Sequence, residues 1–223
     1  MTATAIRIAC ISDTHGKHGE LELPPNIDVL IHAGDFSRFG KVADIDSFNT
    51  WLGNSGIPTR IVVLGNHENG VFRKVEAATM LTNATAVLKD SGHTLDCGLT
   101  VWGTPFCWPM AADSPCPNPH FALIPDGADI VVAHGPAAGF VDGDKGCPDL
   151  ARELTTRVKP KLFVCGHIHG AHGQVEANGT IFVNAASERY EGGVHPPIVV
   201  ELAPPPLPNR DAPPDVDEQN KVE

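Results

Sequence analysis

The chain carries histidine, aspartate and asparagine side chains in short clusters, each directly after an apolar run. The run KLFVC is followed by Gly166 and then by His167 and His169, two histidines one residue apart. Residues i and i+2 of an extended chain lie on the same side, so both imidazoles can reach one region just past a strand end. Imidazoles placed in this way are either a small polar patch or half of a metal site.

Four other apolar runs end in similar clusters. They are Asp13 with His15, Gly34 with Asp35, Gly65 with Asn66, His67 and Glu68, and His134 with Gly135 and Pro136. Taken singly, each cluster is typical of a turn, a cap or a solvated strand end. Ligands gather outside the carboxyl ends of parallel strands, so five such clusters in one chain favour a single shared site.

The side-chain types in these clusters indicate the kind of metal. Carboxylates, imidazoles and an amide oxygen, without thiolates, suit Mn²⁺, Fe, Zn²⁺ or Mg²⁺ better than a structural cysteine-bound zinc. The candidate ligands are Asp13, His15, Asp35, Asn66, His134, His167 and His169. They exceed what one ion needs, and a bridging carboxylate would let them serve two ions, as in displacement at phosphorus. His67 is then left for proton transfer to the leaving alkoxide.

The bulk composition is that of one globular domain with a polar C-terminal segment. The chain has 223 residues and a formal net charge of -11, which disfavours nucleic acid as a partner. We expect residues 1–203 to form one domain and the proline-rich, charged residues 204–223 to be a disordered tail. No signal peptide and no apolar run of membrane-spanning length is present, from which we expect a cytoplasmic protein without a membrane partner. The oligomeric state stays open.

The elements that would position the clusters include both strands and helices. Apolar runs of four to six residues favour strands buried on both faces. A helix face is predicted from the spacing of Val42, Ile45, Phe48 and Leu52. Residues 71–88 have a weaker helical pattern, Pro148 would begin another helix, and Asn178 with Gly179 is a strong type I′ hairpin signal. The mixture predicts two packed sheets with helices outside.

The ordered motifs resemble those of the calcineurin-like metallophosphoesterase superfamily over roughly residues 5–202. Within it, the chain is similar to the small metallophosphoesterase domain-containing subgroup, which is class III phosphodiesterase-like. The similar stretches are CISDTHG, DVLIHAGDF, GNHE, WGTPF, HGPAAG, KPKLFVCGHIHG, FVNAA and PPIVVEL. The resemblance implies an α/β fold, a four-layer α/β/β/α sandwich of two mixed sheets with outer helices.

The resemblance also implies a dinuclear centre and a role for each motif residue. One ion would be bound by Asp13, His15 and His169. The other would be bound by Asn66, His134 and His167. Asp35 would bridge the two ions, a metal-bridging hydroxide would attack phosphorus, and His67 would protonate the departing oxygen. We expect manganese as the metal, with iron, zinc, magnesium and nickel as alternatives.

One position departs from the superfamily pattern. Many relatives carry an acid three residues after the bridging aspartate, where it can orient the catalytic histidine, but this chain has Arg38 there. Arg38 is either a contact for a substrate phosphate or an exposed loop arginine, and the orientation of His67 is left in question. Glu68 is either a residue that supports the ligands or an exposed acid at a helix start.

The substrate class follows from the resemblance rather than from any single residue. The subgroup implies hydrolysis of phosphodiesters, with small phosphoesters such as nucleotides as substrates. Phe106, Trp108 and Phe121 lie in or near a proline-rich stretch where they could stack a nucleobase, although they could equally anchor a long loop. The alternatives are a phosphomonoesterase acting on proteins or small molecules, and a non-catalytic binding module with the same fold.

Overall fold

The computed structural model describes residues 4–69, 75–104 and 119–205, and these residues form two mixed β-sheets with helices outside. The strands are β1 (Ile6–Ile11), β2 (Val29–His32), β3 (Thr59–Val63), β4 (Ala86–Leu88), β5 (Ser91–Thr94), β6 (Thr100–Thr104), β7 (Ile130–Ala133), β8 (Leu162–Cys165), β9 (Gly173–Ala177), β10 (Thr180–Asn184) and β11 (Ile198–Leu202). The first sheet has the order β11-β1-β2-β3-β4 and the second the order β5-β6-β7-β8-β10-β9. The edge strands β11, β5 and β9 are antiparallel to their neighbours, and the other pairs are parallel.

Three hydrophobic clusters hold these elements in four layers. Alternate residues of β1 face opposite sides, so Ile8 packs between the two sheets while Ile11 packs against the helix layer of the first sheet. A third cluster lies between the second sheet and its own helices. The helices are α1 (Val42–Asn54), α2 (Asn66–Asn69), α3 (Ala77–Met80), α4 (Pro119–Ala122) and α5 (Pro148–Arg152). The α/β/β/α sandwich predicted from the sequence is therefore confirmed.

Local sequence signals explain several of these elements. Ile45, Phe48 and Leu52 are fully buried on one face of α1, as their spacing predicts, whereas Val42 in the first turn is 44% exposed. Pro148 begins α5, which continues as a π-helix over Glu153–Val158. Asn178 and Gly179 both have positive φ in the turn that joins β9 to β10, as a type I′ hairpin requires.

One sequence prediction is wrong. Within the described residues 75–88 only α3 is helical, since Ala86–Leu88 is a strand that pairs with β3 and buries Leu88. Pairing at a sheet edge outweighed the weak helical period. Of the two roles that the sequence left open for Phe121, its burial in the cluster between the second sheet and its helices favours anchoring, and its ring is not free to stack a ligand.

Some predictions fall on residues that the structure does not describe. Phe106 and Trp108 lie outside the described residues, as do residues 206–223 of the predicted tail. In the described parts of the chain, no helix has the length and the apolar character that crossing a bilayer requires.

Candidate metal centre

Strand ends from both sheets meet at one edge of the sandwich. The clusters after β1, β2 and β3 come from the first sheet, and those after β7 and β8 come from the second. A backbone hydrogen bond joins the two sheets here. Ser187, after β10 of the second sheet, donates its N–H to the carbonyl of Ser12, after β1 of the first, at 2.7 Å. The ring nitrogen Nδ1 of His134 lies 2.8 Å from the carbonyl oxygen of Ala33. Polar groups of two sheets are thereby held in one region.

The first group of candidate ligands is Asp13, His15 and His169. One ligand atom from each can be chosen so that all three lie within 4.8 Å of one another. The Nε2 atom of His169 lies 3.3 Å from Asp13 Oδ1 and 3.3 Å from His15 Nε2. The sequence assigned these residues to one ion, and the structure brings them together.

The second group is Asp35, Asn66, His134 and His167. The Nε2 atom of His134 lies 3.3 Å from Asp35 Oδ2 and 3.0 Å from Asn66 Oδ1. The ring of His167 lies edge-on to that of His134, with 5.1 Å between centroids. His167 and His169 therefore diverge into different groups, because His167 adopts a positive φ where the strand has already ended.

Asp35 lies between the groups. Besides its place with His134 and His167, it forms a third ligand-competent set with His15 and His67. Its Oδ1 accepts the backbone N–H of His67 at 2.8 Å, and its Oδ2 is the atom nearest His134. A carboxylate shared in this way is suited to bridge two ions.

The donor chemistry of the site fits divalent cations. Asp13 Oδ1 is buried and accepts no hydrogen bond, which leaves an anionic oxygen available to a metal. Burial alone would lower the pKa of His134, but the carboxylates of Asp35 and Asp13 raise the pKa of His134 to about 10. The negative charge of the two carboxylates thus stabilises a cation placed between them. Carboxylate, imidazole and amide ligands without thiolate are those of Mn²⁺, Fe, Zn²⁺ or Mg²⁺ sites.

Backbone groups take the place of the acid that is missing at position 38. His67 Nδ1 lies 3.1 Å from the carbonyl oxygen of Ser37 and 3.1 Å from the backbone nitrogen of Phe39. The ring of Phe39 stacks on that of His67 with 4.8 Å between centroids. His67 Nε2 is on the Asp35 side, 3.9 Å from Oδ2. When the imidazole is protonated, Ser37 can accept its Nδ1 proton, so Nε2 carries the other proton toward the ligands.

Arg38 is half-exposed at the rim of the site. Its Nε donates to the carbonyl of His15 at 3.0 Å, and its guanidinium lies 3.6 Å from the carboxylate of Glu188. Glu188 also pairs with Lys17 at 2.8 Å and lies 3.9 Å from His15 Nε2. Arg38 therefore does not orient His67, and its charge is partly balanced by Glu188.

Three residues supporting the site were missed or left undecided by the sequence. Glu68 is buried and accepts the backbone N–H groups of Asp35, Ser37 and Gly65. Burial and the charge of Asp35 raise the pKa of Glu68 to about 7. Asn184 donates its side-chain amide to the carbonyl of Val141 and to that of Ile168, which lies between His167 and His169. The GNHE motif was a signal for Glu68 and the FVNAA stretch was one for Asn184, the last residue of β10, whereas Glu188 lies beyond these motifs.

Glycines let the backbone lie directly against the two aspartates. Any side chain at Gly65 would overlap the carboxylate of Asp35, and any side chain at Gly166 would overlap that of Asp13. The glycines of GNHE and GHIH are thus explained by close approach to the ligands. An open cleft of about 440 Å³ is lined by His67, Arg38, Phe39, Glu188 and five of the seven proposed ligands, which are His15, Asp35, Asn66, His167 and His169.

Comparisons with known proteins agree with this geometry. A family model described as Calcineurin-like phosphoesterase matches residues 6–171. Metallophosphoesterase domain-containing protein 1 of Homo sapiens is 33% identical over 237 residues, which cover 89% of this chain and 72% of that protein. UPF0046 protein K07C11.7 of Caenorhabditis elegans is 32% identical over 209 residues, which cover 81% of this chain and 69% of that protein.

The fold is also found among solved structures. The crystal structure of TT1561 of Thermus thermophilus superimposes with a TM-score of 0.61 at 15% sequence identity, covering 81% of this chain and 89% of that one. At this identity the likeness shows the fold alone. The family match implies a dinuclear centre of divalent ions, for which the two ligand groups are candidates. The chain therefore belongs to the calcineurin-like phosphoesterase family, in its metallophosphoesterase domain-containing subgroup, and is a metal-dependent phosphoester hydrolase.

Proposed function

We propose that the protein hydrolyses small phosphodiesters, nucleotide-like ones among them, with two divalent ions that are manganese in the native protein. The observation that carries the proposal is the pair of ligand groups joined at Asp35, with His67 beside it. Asp13, His15 and His169 hold one ion, and Asn66, His134 and His167 hold the other. When bound, the ions supply Lewis-acid activation of water and neutralise charge on the phosphoryl oxygens.

The chain itself supplies the proton for the leaving group. His67 donates the proton of Nε2 to the departing oxygen, while its Nδ1–H donates a hydrogen bond to the carbonyl oxygen of Ser37. Stacking of Phe39 on the imidazole limits rotation of the ring. Oδ1 of Asp35 accepts the backbone N–H of His67, so the proposed bridging ligand and the proton donor keep one relative position.

The charges at the cleft favour a diester over a monoester. A diester carries one negative charge near neutral pH, and a monoester carries close to two, so a monoester needs more compensating positive charge. Arg38 reaches the rim, where it can contact a phosphoryl oxygen, but Glu188 offsets part of its charge. The net charge of -11 also disfavours more highly charged anions.

Comparison of two nitrophenyl esters tests the proposal. Bis-p-nitrophenyl phosphate and p-nitrophenyl phosphate are assayed with Mn²⁺, with and without a chelator. We expect chelator-sensitive turnover with a higher kcat/KM for the diester. A higher kcat/KM for the monoester would make the protein a phosphatase, and absence of turnover with two ions bound would indicate a non-catalytic module.

A further inference from the structure

A second cleft opens beside the candidate metal centre. It has a volume of about 650 Å³ and is lined by His172, Tyr190 and His195, among other residues. His169 lines both clefts, so the two spaces meet at one of the proposed metal ligands. The volume is in the range of sites that hold small organic ligands.

The walls of this second cleft offer flat aromatic surfaces. Tyr190 is 81% exposed, and its ring stacks on that of His169 with 5.7 Å between centroids. The rings of His172 and His195 stack on each other at 4.1 Å and are nearly parallel. An aromatic side chain this exposed gains little from packing against the fold, and its ring is available to a ligand in the cleft beside a proposed metal ligand.

The loop between β10 and β11 serves both clefts. Glu188 reaches the metal cleft from this loop, and two residues later Tyr190 faces the second cleft. Arg189, between them, donates its Nε to His195 Nδ1 at 3.3 Å. Glu188 is itself tied to the first sheet, since its backbone N–H donates to the carbonyl of Asp13 at 3.1 Å. The loop is therefore anchored where the two spaces join.

The position of His67 indicates which part of a substrate could enter the second cleft. A diester has a leaving arm and an arm that stays on phosphorus. The leaving arm must lie near His67, which lines the metal cleft and is not among the residues around the second one. The arm that enters past His169 is then the one that stays on phosphorus.

We propose that this cleft is a subsite for a planar aromatic group, an aryl ring or a nucleobase, on the retained arm of the phosphodiester, with Tyr190 as its stacking surface. The proposal rests on the phosphodiesterase function proposed above. It makes Tyr190 a specificity determinant, because a monoester lacks the retained arm. Stacking on one aromatic side chain changes affinity by about tenfold.

Two diesters with the same leaving group test the subsite. Bis-p-nitrophenyl phosphate retains an aryl arm and methyl p-nitrophenyl phosphate retains a methyl arm. The ratio of their kcat/KM values should fall about tenfold in Tyr190→Ala and Tyr190→Leu, and it should be kept in Tyr190→Phe. The leucine variant preserves apolar packing on His169. The matched control is Leu123→Ala, which shortens a side chain that is 55% exposed outside both clefts.

Binding of unreactive ligands separates the subsite from the activity. Phenylphosphonate and methylphosphonate are titrated into the Mn²⁺-loaded proteins by calorimetry, after metal content has been matched. Loss of affinity for phenylphosphonate alone in Tyr190→Leu supports the subsite, even if neither diester is hydrolysed and the phosphodiesterase proposal fails. Equal changes for both ligands, or no change for either, would overturn the subsite whatever the activity.

Discussion

At the residue scale, the candidate ligands stand on backbone that L-amino acids rarely adopt. Asp13, His15, Asp35 and His167 all have positive φ, between 44° and 66°. Each such residue costs on the order of 1–3 kcal/mol, so it persists only where neighbours hold it. Hydrogen bonds do so here, since Asp13 and His15 donate their backbone N–H groups to carbonyls that flank or belong to Asp35. The strain indicates that the ligand positions are maintained for function.

Replacement of His67 tests the proton donor. We expect His67→Ala to keep both ions, because it is not among the seven proposed ligands, and to lose roughly 10²–10⁴-fold in kcat. Steady-state kinetics and metal analysis of the same samples check this. His93→Ala, on the edge strand β5, is the histidine control and should keep its activity. An unchanged kcat in the His67 variant would remove the residue from the mechanism.

Replacement of Asp35 tests the bridge. Asp35→Asn removes the charge that both ligand groups share, so the affinity for both ions should fall together. Metal content after dialysis is expected to be about two ions per chain in the parent and below one in the variant. Asp46→Asn changes an exposed acid on α1 and serves as the control. A variant that still retains two ions would contradict a bridging carboxylate.

Motif spacing predicts candidate ligands that the structure brings together, but it does not predict all the contacts that support them. Each proposed ligand directly follows an apolar run, so its position can be derived from the local pattern and the parallel topology. Glu188 contacts His15 across the two sheets, and Asn184 contacts the Val141 carbonyl in the loop after β7. Such contacts depend on the packed structure, and the local sequence does not show which partner either side chain has.

At the element scale, β2 ends in a buried histidine that joins the strand to its helix layer. His32 packs against Phe36 and Phe48, with ring centroids 5.8 Å and 4.8 Å away. Its Nδ1 accepts the backbone N–H of Gly34, and its Nε2 lies 3.1 Å from the hydroxyl of Thr14. Burial lowers the pKa of His32 to about 3, so the imidazole stays neutral in the folded protein.

Stability should therefore depend on pH through His32. The unfolded chain binds a proton at this position below about pH 6.5, while the folded chain does so only near pH 3. The stability linked to this neutral imidazole is fully present above pH 6.5 and falls by about 1.4 kcal/mol per pH unit below it. Urea unfolding of the metal-free protein measures this effect between pH 4 and 6. The free energy of unfolding should fall less steeply with decreasing pH in His32→Asn than in the parent, by about 1.4 kcal/mol per pH unit. Parallel stability curves for both proteins would refute the assignment.

Apolar runs predicted strands better than helices in this chain. Strands β7 and β8 coincide with the apolar runs IVVA and LFVC, because a run buried on both faces is continuous in sequence. Short helices have no such signal, and α3 spans only Ala77–Met80. The π-helical end of α5 was not predicted either, since the same apolar spacing also fits an α-helix.

At the scale of the whole molecule, the cores and the candidate metal centre are separate structures. The three hydrophobic clusters contain none of the proposed ligands. We therefore expect burial within the layers to drive folding, and ion binding to add to a structure that already exists.

Ion removal should inactivate the protein without unfolding it. Chelation is expected to abolish hydrolysis and to lower Tm by on the order of 10 °C. This is the stabilisation lost when the ion had been present at a free concentration of about 1,000 times its Kd. The thermal transition should stay cooperative, and Mn²⁺ should restore both activity and Tm. Calorimetric scans with and without chelator measure this. Loss of the cooperative transition on chelation would mean that the ions are needed for the fold itself.

The distance in sequence between ligands has a consequence for synthesis of the protein. His15 and His169 are 154 positions apart, and each proposed ion takes ligands from both sheets. A nascent chain on the ribosome can form the first sheet's early strands long before His167 and His169 emerge. On the proposed assignment, one coordination sphere would be complete only once His167 has emerged, and the other only once His169 has emerged. Metal loading is then a late event of maturation. Chains whose translation stops before these residues are expected to be inactive.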